Sequence, residues 1–575
     1  MYHPLSSLCI KCQQETVISL TSQPLRTIEA HTLRTNYIPS DVEASQILAI
    51  VEEEQREMDG LEEEAILLQC LLDRLETRKQ ALQANMARRR SSVSALRRFP
   101  TEIWGIIFEM VCSSENFSLS LDLRPYRKHK ISMLPVTLSH VCSRWRAIIP
   151  NSSRLWSSIN IHFRSLARRD TTLIETYLEN SRGSPLTLRI ERFIEGSSPS
   201  EWDGVVWKML AKHFSRVERL LLSGDYIDML EIPLASDISF PILKTFRGGP
   251  SENFHGALPW WQALHSATPL LRTATLNIIH PRATLPYHQL TTLILEDTHP
   301  GDLSDLTRIL PDCLELEYLQ IECVGPGWEG DNDFTPFEAR SVRTLIVSES
   351  YKLDTDSPML MQFLEVLTMP SLETFQLDCA DHSRDAGWPE SLLGMLGRCA
   401  GSLRNLSVHL WREGPLPIAN DNRPLADLLR PLPKLTSFEF GMGWYTDSKE
   451  GRQQGGDHNF NTRLLQQLFV ELGRSDRAQD LAPNLTKITI LLSDITFDHP
   501  GLMNTILRTA ALRSPFVASE RWQALTNIRL IRMPGHTLTW PIGGNSYLVD
   551  LKGDVGKRIE SLQREGAHVL IEELR

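Results

Sequence analysis

From residue 217 onward the chain repeats one short pattern, apolar-x-x-apolar-x-apolar. It occurs nine times, as Val217/Leu220/Leu222, Leu290/Leu293/Leu295, Leu316/Leu319/Ile321, Val342/Leu345/Val347, Leu372/Phe375/Leu377, Leu403/Leu406/Val408, Leu435/Phe438/Phe440, Leu485/Ile488/Ile490 and Leu525/Ile528/Leu530. Alternating apolar residues over so short a run read as strands with one buried face. From Leu290 the copies start 26, 26, 30, 31, 32, 50 and 40 residues apart, and degenerate copies near Leu243 and Leu271 fill the earlier gap. Helix-like runs at 303–310, 359–367, 391–399, 425–432, 464–472 and 503–512 lie between copies. A strand followed by a helix at a recurring interval cannot bury its apolar face alone, so the units must stack into a parallel α/β solenoid.

The period and pattern resemble the leucine-rich repeat family, slightly long. The family's Asn or Cys three residues after the last apolar position is missing, with Val324 and Ala380 there in two of the clearest copies, so irregular curvature is expected. Stretches at 325–340, 380–390 and 441–460 are rich in Gly, Asp and Trp and read as surface loops. Because side chains alternate along a strand, the residue between the last two apolar positions and the one just after them point to the open face. In the central copies these are Ile294 and Glu296, Gln320 and Glu322, Ile346 and Ser348, and Gln376 and Asp378. Glu296 and Glu322 then stand as near neighbours, with Asp378 two strands further on. This predicts a target-binding surface in which an acidic row receives a basic segment and Ile294 and Ile346 supply apolar contact. Ordinary solvated carboxylates are the simpler alternative.

Nearer the amino terminus the period changes. Ile47, Val51, Glu54, Met58, Leu61, Ala65, Leu68, Leu72, Leu75, Lys79, Leu82 and Met86 alternate in steps of four and three, and ten of these twelve seam positions are apolar. That is the seam of a long helix, either a coiled-coil or partner-binding arm or a helix folded back on its own domain. Residues 41–76 carry twelve acids against Arg56 and Arg74, whereas residues 77–98 carry seven Lys or Arg and no acid. Acid at the amino end and base at the carboxyl end complement the helix dipole. The Arg88-Arg89-Arg90 run fits a solvated helix end as well as a nuclear-import or phosphate contact.

A third pattern follows. Phe99-Pro100-Thr101-Glu102-Ile103-Trp104-Gly105-Ile106-Ile107-Phe108 places Pro in a first helical turn and Glu102 beside the positive dipole end. After a polar, basic stretch, residues 134–150 read as a second helix with Leu138, Val141, Cys142, Trp145 and Ile148 on one stripe. The opening Phe99-Pro100-x-Glu102-Ile103-x-x-Ile106-Ile107-Phe108, the Val141-Cys142-Ser143-Arg144-Trp145-Arg146 run and the trailing Leu155-Trp156 resemble the F-box proteins, in particular the fungal type with a helical arm in front and repeats behind. The resemblance covers about sixty residues. It implies a three-helix domain that docks the Skp-family adaptor of a cullin-type ubiquitin ligase, with Phe99, Pro100, Ile103, Ile107, Val141, Cys142 and Trp145 facing the adaptor. Here the opening residue is Phe where the family usually has Leu, and residues 113–134 insert a long basic segment.

Other classes are disfavoured. The 60 basic and 71 acidic residues give a net charge of −11, against blanket nucleic-acid binding. No membrane-length apolar run and no secretion signal occur, and nine scattered Cys fit a reducing compartment, so a cytoplasmic or nuclear location is expected. Cys9 and Cys12 form a lone C-x-x-C with no second pair at zinc spacing. Phosphate-loop, zinc-helix, nucleophile-elbow and dinucleotide motifs are absent, so neither an enzyme nor a cofactor is expected. Cys112 and Cys142 read as inert thiols on apolar helix faces.

The sequence thus predicts an α/β chain: a disordered tail at 1–40, a long helix or coiled coil at 41–98, an F-box-like domain at 99–160 and a leucine-rich-repeat-like solenoid at 161–575. The function that the resemblance implies is substrate receptor of a Skp–cullin–F-box ligase, with self-association through residues 47–86 as a further partner interaction. The alternative is a non-catalytic scaffold that binds protein partners without ubiquitination.

Overall fold

The computed structural model describes residues 6–8, 15–17, 37–113, 117–122, 130–162, 166, 168–191, 201–223, 239–249, 264–277, 285–298, 302–323, 334, 336–349, 358–380, 388–413, 424–445, 458–474, 481–493, 500–513, 523–533, 546–548 and 554–574. The chain divides into two compact units, Met1–Pro100 and Thr101–Arg575.

In the first unit, two short strands, Ser6–Leu8 and Glu15–Val17, pair antiparallel within the segment read as a disordered tail. Cys9 and Cys12 lie outside the described residues. Helix α1, Asp41–Ser92, runs unbroken for 52 residues, roughly 78 Å at 1.5 Å per residue. Its start is fixed locally: the Glu43 carboxylate accepts from the Ser40 N–H at 2.9 Å and from the Ser40 hydroxyl at 2.7 Å, and these bonds lower the Glu43 pKa. Arg89 and Arg90 occupy the last turn, where positive charge suits the dipole. No residue of α1 is buried.

The second unit is built on one long parallel sheet. Its strands follow chain order: Leu119–Asp122, Ser158–His162, Leu186–Glu191, Val217–Ser223, Thr245–Arg247, Thr273–Leu276, Thr292–Thr298, Tyr318–Cys323, Thr344–Glu349, Thr374–Ala380, Asn405–Glu413, Ser437–Tyr445, Lys487–Ser493, Asn527–Met533 and His568–Leu574. Each pairs in parallel with the next. An antiparallel strand closes each end, Lys130–Met133 against the first and Ser546–Leu548 against the last. In all nine predicted triplets the last two apolar residues lie on strands of this ladder, while the first lies two residues before the strand in every copy but Val217, and the six predicted helical runs match helices beginning at Asp302, Pro358, Glu390, Leu425, His458 and Pro500.

The core is the row of inward strand residues. Leu293, Leu295, Leu319, Ile321, Leu345, Val347, Phe375, Leu377, Leu406, Val408, Phe438 and Phe440 are each at most 1% exposed. Phe363, Leu392, Met395, Leu428, Leu465 and Ile506 from the helices belong to the same cluster. Truncating a ring such as Phe375 to Ala costs about 3 to 5 kcal/mol at such a site. Register is held one residue before the strands, where Thr436, Thr486 and Thr526 each hydrogen-bond through both N–H and hydroxyl to the carbonyl of the corresponding residue one strand earlier. Arginines tie the helix layer together: Arg216 reaches Leu178 O at 2.9 Å, and Arg398 reaches Leu364 O at 2.7 Å. Both acceptors lie in the last turn of a preceding helix, where cations are favoured.

Three local readings are corrected. Residues 134–150 form two short helices, α3 (Leu134–Ser139) and α4 (Ser143–Ile148), because the His140 and Val141 N–H groups turn back to Thr137 and Leu138 and Cys142 is extended. The basic insertion is partly a hairpin, with Leu119 and Leu121 fully buried, and its first strand begins the parallel sheet. Residues 441–445, read as part of a loop, continue the strand Ser437–Tyr445. Within the stretch 325–340, Phe337–Glu338 is a short strand paired with Leu367–Thr368; of the three predicted loops, 325–333, 335, 381–387 and 446–457 lie outside the described residues.

Candidate protein-docking surfaces

Helix α2, Thr101–Ser113, is apolar on two sides. Trp104, Phe108 and Cys112 point into the core, where Phe108 is 1% exposed. Trp145, half-buried on α4, completes the cluster: its ring lies 5.0 Å from Trp104 and 4.8 Å from Phe108, centroid to centroid, the latter edge-on. Burial pushes the Cys112 thiol pKa up to about 11, which keeps it protonated and unreactive at neutral pH. The other side of α2 carries Ile103, Ile106, Met110 and Val111, all exposed, with Ile107 packed at the margin of the core. These positions follow i, i+3, i+4, i+7, i+8, a continuous helical stripe.

The proposed adaptor-facing residues therefore separate by environment. Ile103 and Val141 are exposed apolar groups, and Ile107 and Trp145 pack against the core. Cys142 is exposed but stands outside the helix as the residue before α4, its Sγ accepting the Trp145 N–H at 3.5 Å, so it is not on an apolar helix face. Phe99 and Pro100 end the first unit, with Phe99 38% exposed. Met110 and Val111 were missed as surface candidates, although the stripe that begins at Ile103 runs straight through them.

The second surface is the sheet face turned away from the helices. Parallel registry places Ile294, Gln320, Ile346 and Gln376 directly side by side and continues through Ser407 and Glu439 to Thr489. Glu322, Ser348, Asp378 and His409 form the adjoining row. All of the candidate target-binding residues are half-buried here.

Their charges are largely answered within the fold, which alters the picture of a bare acidic row. Glu296 pairs with Arg247 at 2.7 Å. Asp378 accepts from Gln376 Nε2 at 2.8 Å and meets His409 Nδ1 at 2.5 Å, while His409 Nε2 lies 3.1 Å from Glu439. Burial opposes charging His409, but hydrogen bonds and charge from Asp378 and Glu439 outweigh it and raise the pKa to about 9. This charged triad around the buried His409 was not foreseen. Its members recur at steps of 31 and 30 residues, the local repeat period, and that spacing was the available signal.

Glu322 differs. Among the described residues it has no ion-pair partner, and burial together with the charges of Asp297 and Glu296 pushes its pKa up. Asp297 sits at a break in strand register with φ +51, a left-handed conformation costly for a non-glycine residue. There the nearby Asp297 and Glu296 carboxylates add to burial in disfavouring the charged form of Glu322. Gln320 is engaged by the Tyr318 hydroxyl at 2.8 Å.

Among the described residues no group of three or more His, Cys, Asp or Glu is placed to hold a metal ion, and no helix is long and apolar enough to cross a membrane. In comparison with known proteins, the chain matches no protein-family model and no curated protein.

Proposed function

We propose that the chain is a substrate-receptor subunit of a Skp–cullin–F-box ubiquitin ligase. On this reading residues 99–160 are the F-box, the α2 stripe docks the Skp-family adaptor, and the sheet is a leucine-rich-repeat-like solenoid whose open face holds a protein target. The observation that carries the reading is the pair of apolar faces on α2. One face is consumed by the Trp104, Phe108 and Trp145 cluster, and the other leaves Ile103, Ile106, Met110 and Val111 in water, which a helix that only packs its own fold has no reason to do. The mechanism is proximity: holding a target lysine beside a charged conjugating enzyme turns a bimolecular encounter into a near-intramolecular one. On this reading the catalytic groups belong to the recruited partners.

Target recognition centres on Glu322, next to the row in which Ile294 and Ile346 flank Gln320, with Glu296, Gln376 and Asp378 shaping the surrounding face. A basic residue of the target placed at Glu322 relieves the crowding with Asp297 and Glu296. The test is affinity capture of the full chain from cells with and without proteasome inhibition. A Skp-family adaptor and a cullin in both captures, with a protein that accumulates only under inhibition, supports the proposal. Stable partners without adaptor or cullin would favour the scaffold alternative.

A further inference from the structure

We infer that α1 pairs with α1 of a second copy of this chain in antiparallel orientation, with the two helices fully overlapped and Glu54 of each chain facing the partner's Lys79. The inference does not rest on the ligase reading.

The seam residues have no cover. Ile47, Val51, Met58, Leu61, Leu72, Leu75, Leu82 and Met86 are between 43% and 66% exposed, although their spacing is that of a dry helix–helix contact. Their order along the helix selects the occupant. The twelve seam positions step 4, 3, 4 and so on, a sequence that reads the same from either end and is centred on the middle of Asp41–Ser92. When two copies overlap end to end in opposite directions, each seam position meets another seam position. Ile47 lies level with the partner's Met86, and Ala65 with the partner's Leu68.

The two polar seam residues decide the orientation. Glu54 and Lys79 are equally distant from the helix centre, so the overlapped antiparallel pair brings Glu54 to Lys79 at both symmetry-related places. A parallel pair sets Glu54 against Glu54 and Lys79 against Lys79, two like-charge contacts inside the seam. Sliding the antiparallel pair by one heptad sets Glu54 against Leu72 or Met86, which buries a carboxylate with no partner. Flanking charges agree with the full overlap. Glu57 reaches toward Arg78 across the antiparallel contact, whereas the parallel arrangement puts Glu57 beside Glu62. On a larger scale, the five acids of residues 41–56 come opposite the five bases of the partner's residues 77–92. Within one chain Lys79 has Glu76 at 3.7 Å, an exposed contact that leaves the ammonium open to a second carboxylate.

Equilibrium sedimentation of the full-length chain over a range of concentrations tests this with Glu54→Lys, Lys79→Glu and the double exchange. All three changes are at exposed helix positions, and circular dichroism checks that helix content is unaltered. The wild type is expected to dimerise. Each single exchange should weaken dimerisation by about tenfold or more, because it creates like-charge contacts at both places. The double exchange should restore wild-type affinity, since each introduced lysine then faces an introduced glutamate on the partner. A monomeric wild type overturns the inference. So does a dimer indifferent to all three variants, which a parallel seam predicts, or a double exchange as weak as the singles.

Discussion

Raising the pH should weaken the repeat unit through His409 in particular. The imidazole is 5% exposed and lies between the Asp378 and Glu439 carboxylates, and its pKa in the fold is about 9 against an ordinary 6.5. A histidine whose pKa is raised by folding contributes its full stability below the unfolded value and loses it as pH rises through the folded one, so the window is pH 6.5 to about 9. At 1.36 kcal/mol per unit, that interval corresponds to roughly 3 kcal/mol. Replacing His409 by Gln removes the proton and keeps a polar side chain of similar size. Urea unfolding of both proteins at a series of pH values then isolates this group, since every other titration is shared. The wild-type advantage over His409→Gln should be greatest at about pH 6 and shrink by about 3 kcal/mol by about pH 9.5. A difference between the two proteins that stays constant across the series would refute the charged triad.

Other outcomes follow from the same geometry. Glu322→Gln should stabilise the fold slightly at neutral pH in urea unfolding, because it removes a crowded carboxylate whose charged form is disfavoured, while reducing target capture. Phe108→Ala should lower the unfolding free energy by about 3 to 5 kcal/mol, whereas Ile103→Ala on the exposed side should change it by less than about 0.5 kcal/mol. Replacing Arg398 by Met should destabilise the Pro358–Val366 helix end, read as faster amide exchange in residues 364–368, since the Leu364 and Leu367 carbonyls lose their donor.

The central repeats were legible because their strands bury one face and their apolar residues recur at every second position, as at Leu319 and Ile321. The first strands were harder to see. Ile159 and Ile161 follow Trp156 in the same pattern, but they come directly after a helical segment whose own pattern masks theirs. Leu119 and Leu121 sit within the stretch read only as a polar, basic insertion, yet pairing to the next strand buries them completely. The orientation of α2 was not decidable from periodicity, because both sides of the helix are apolar. Packing decides it, since the large rings of Trp104 and Phe108 mesh with Trp145. Pairing of charges across strands needs the register itself, which is why Arg247 with Glu296 was invisible in the linear sequence, while His409 with Asp378 left only the repeat spacing as a trace.

The exposed stripe of α2 is where a ligase role is most directly open to measurement. Purified Skp-family adaptor should bind the full chain in a titration followed by calorimetry, and Ile103→Asp with Met110→Asp should abolish that binding while urea unfolding stays unchanged. Adaptor binding undiminished in the double variant, or no binding by the wild type, would contradict the assignment of this surface to a ligase.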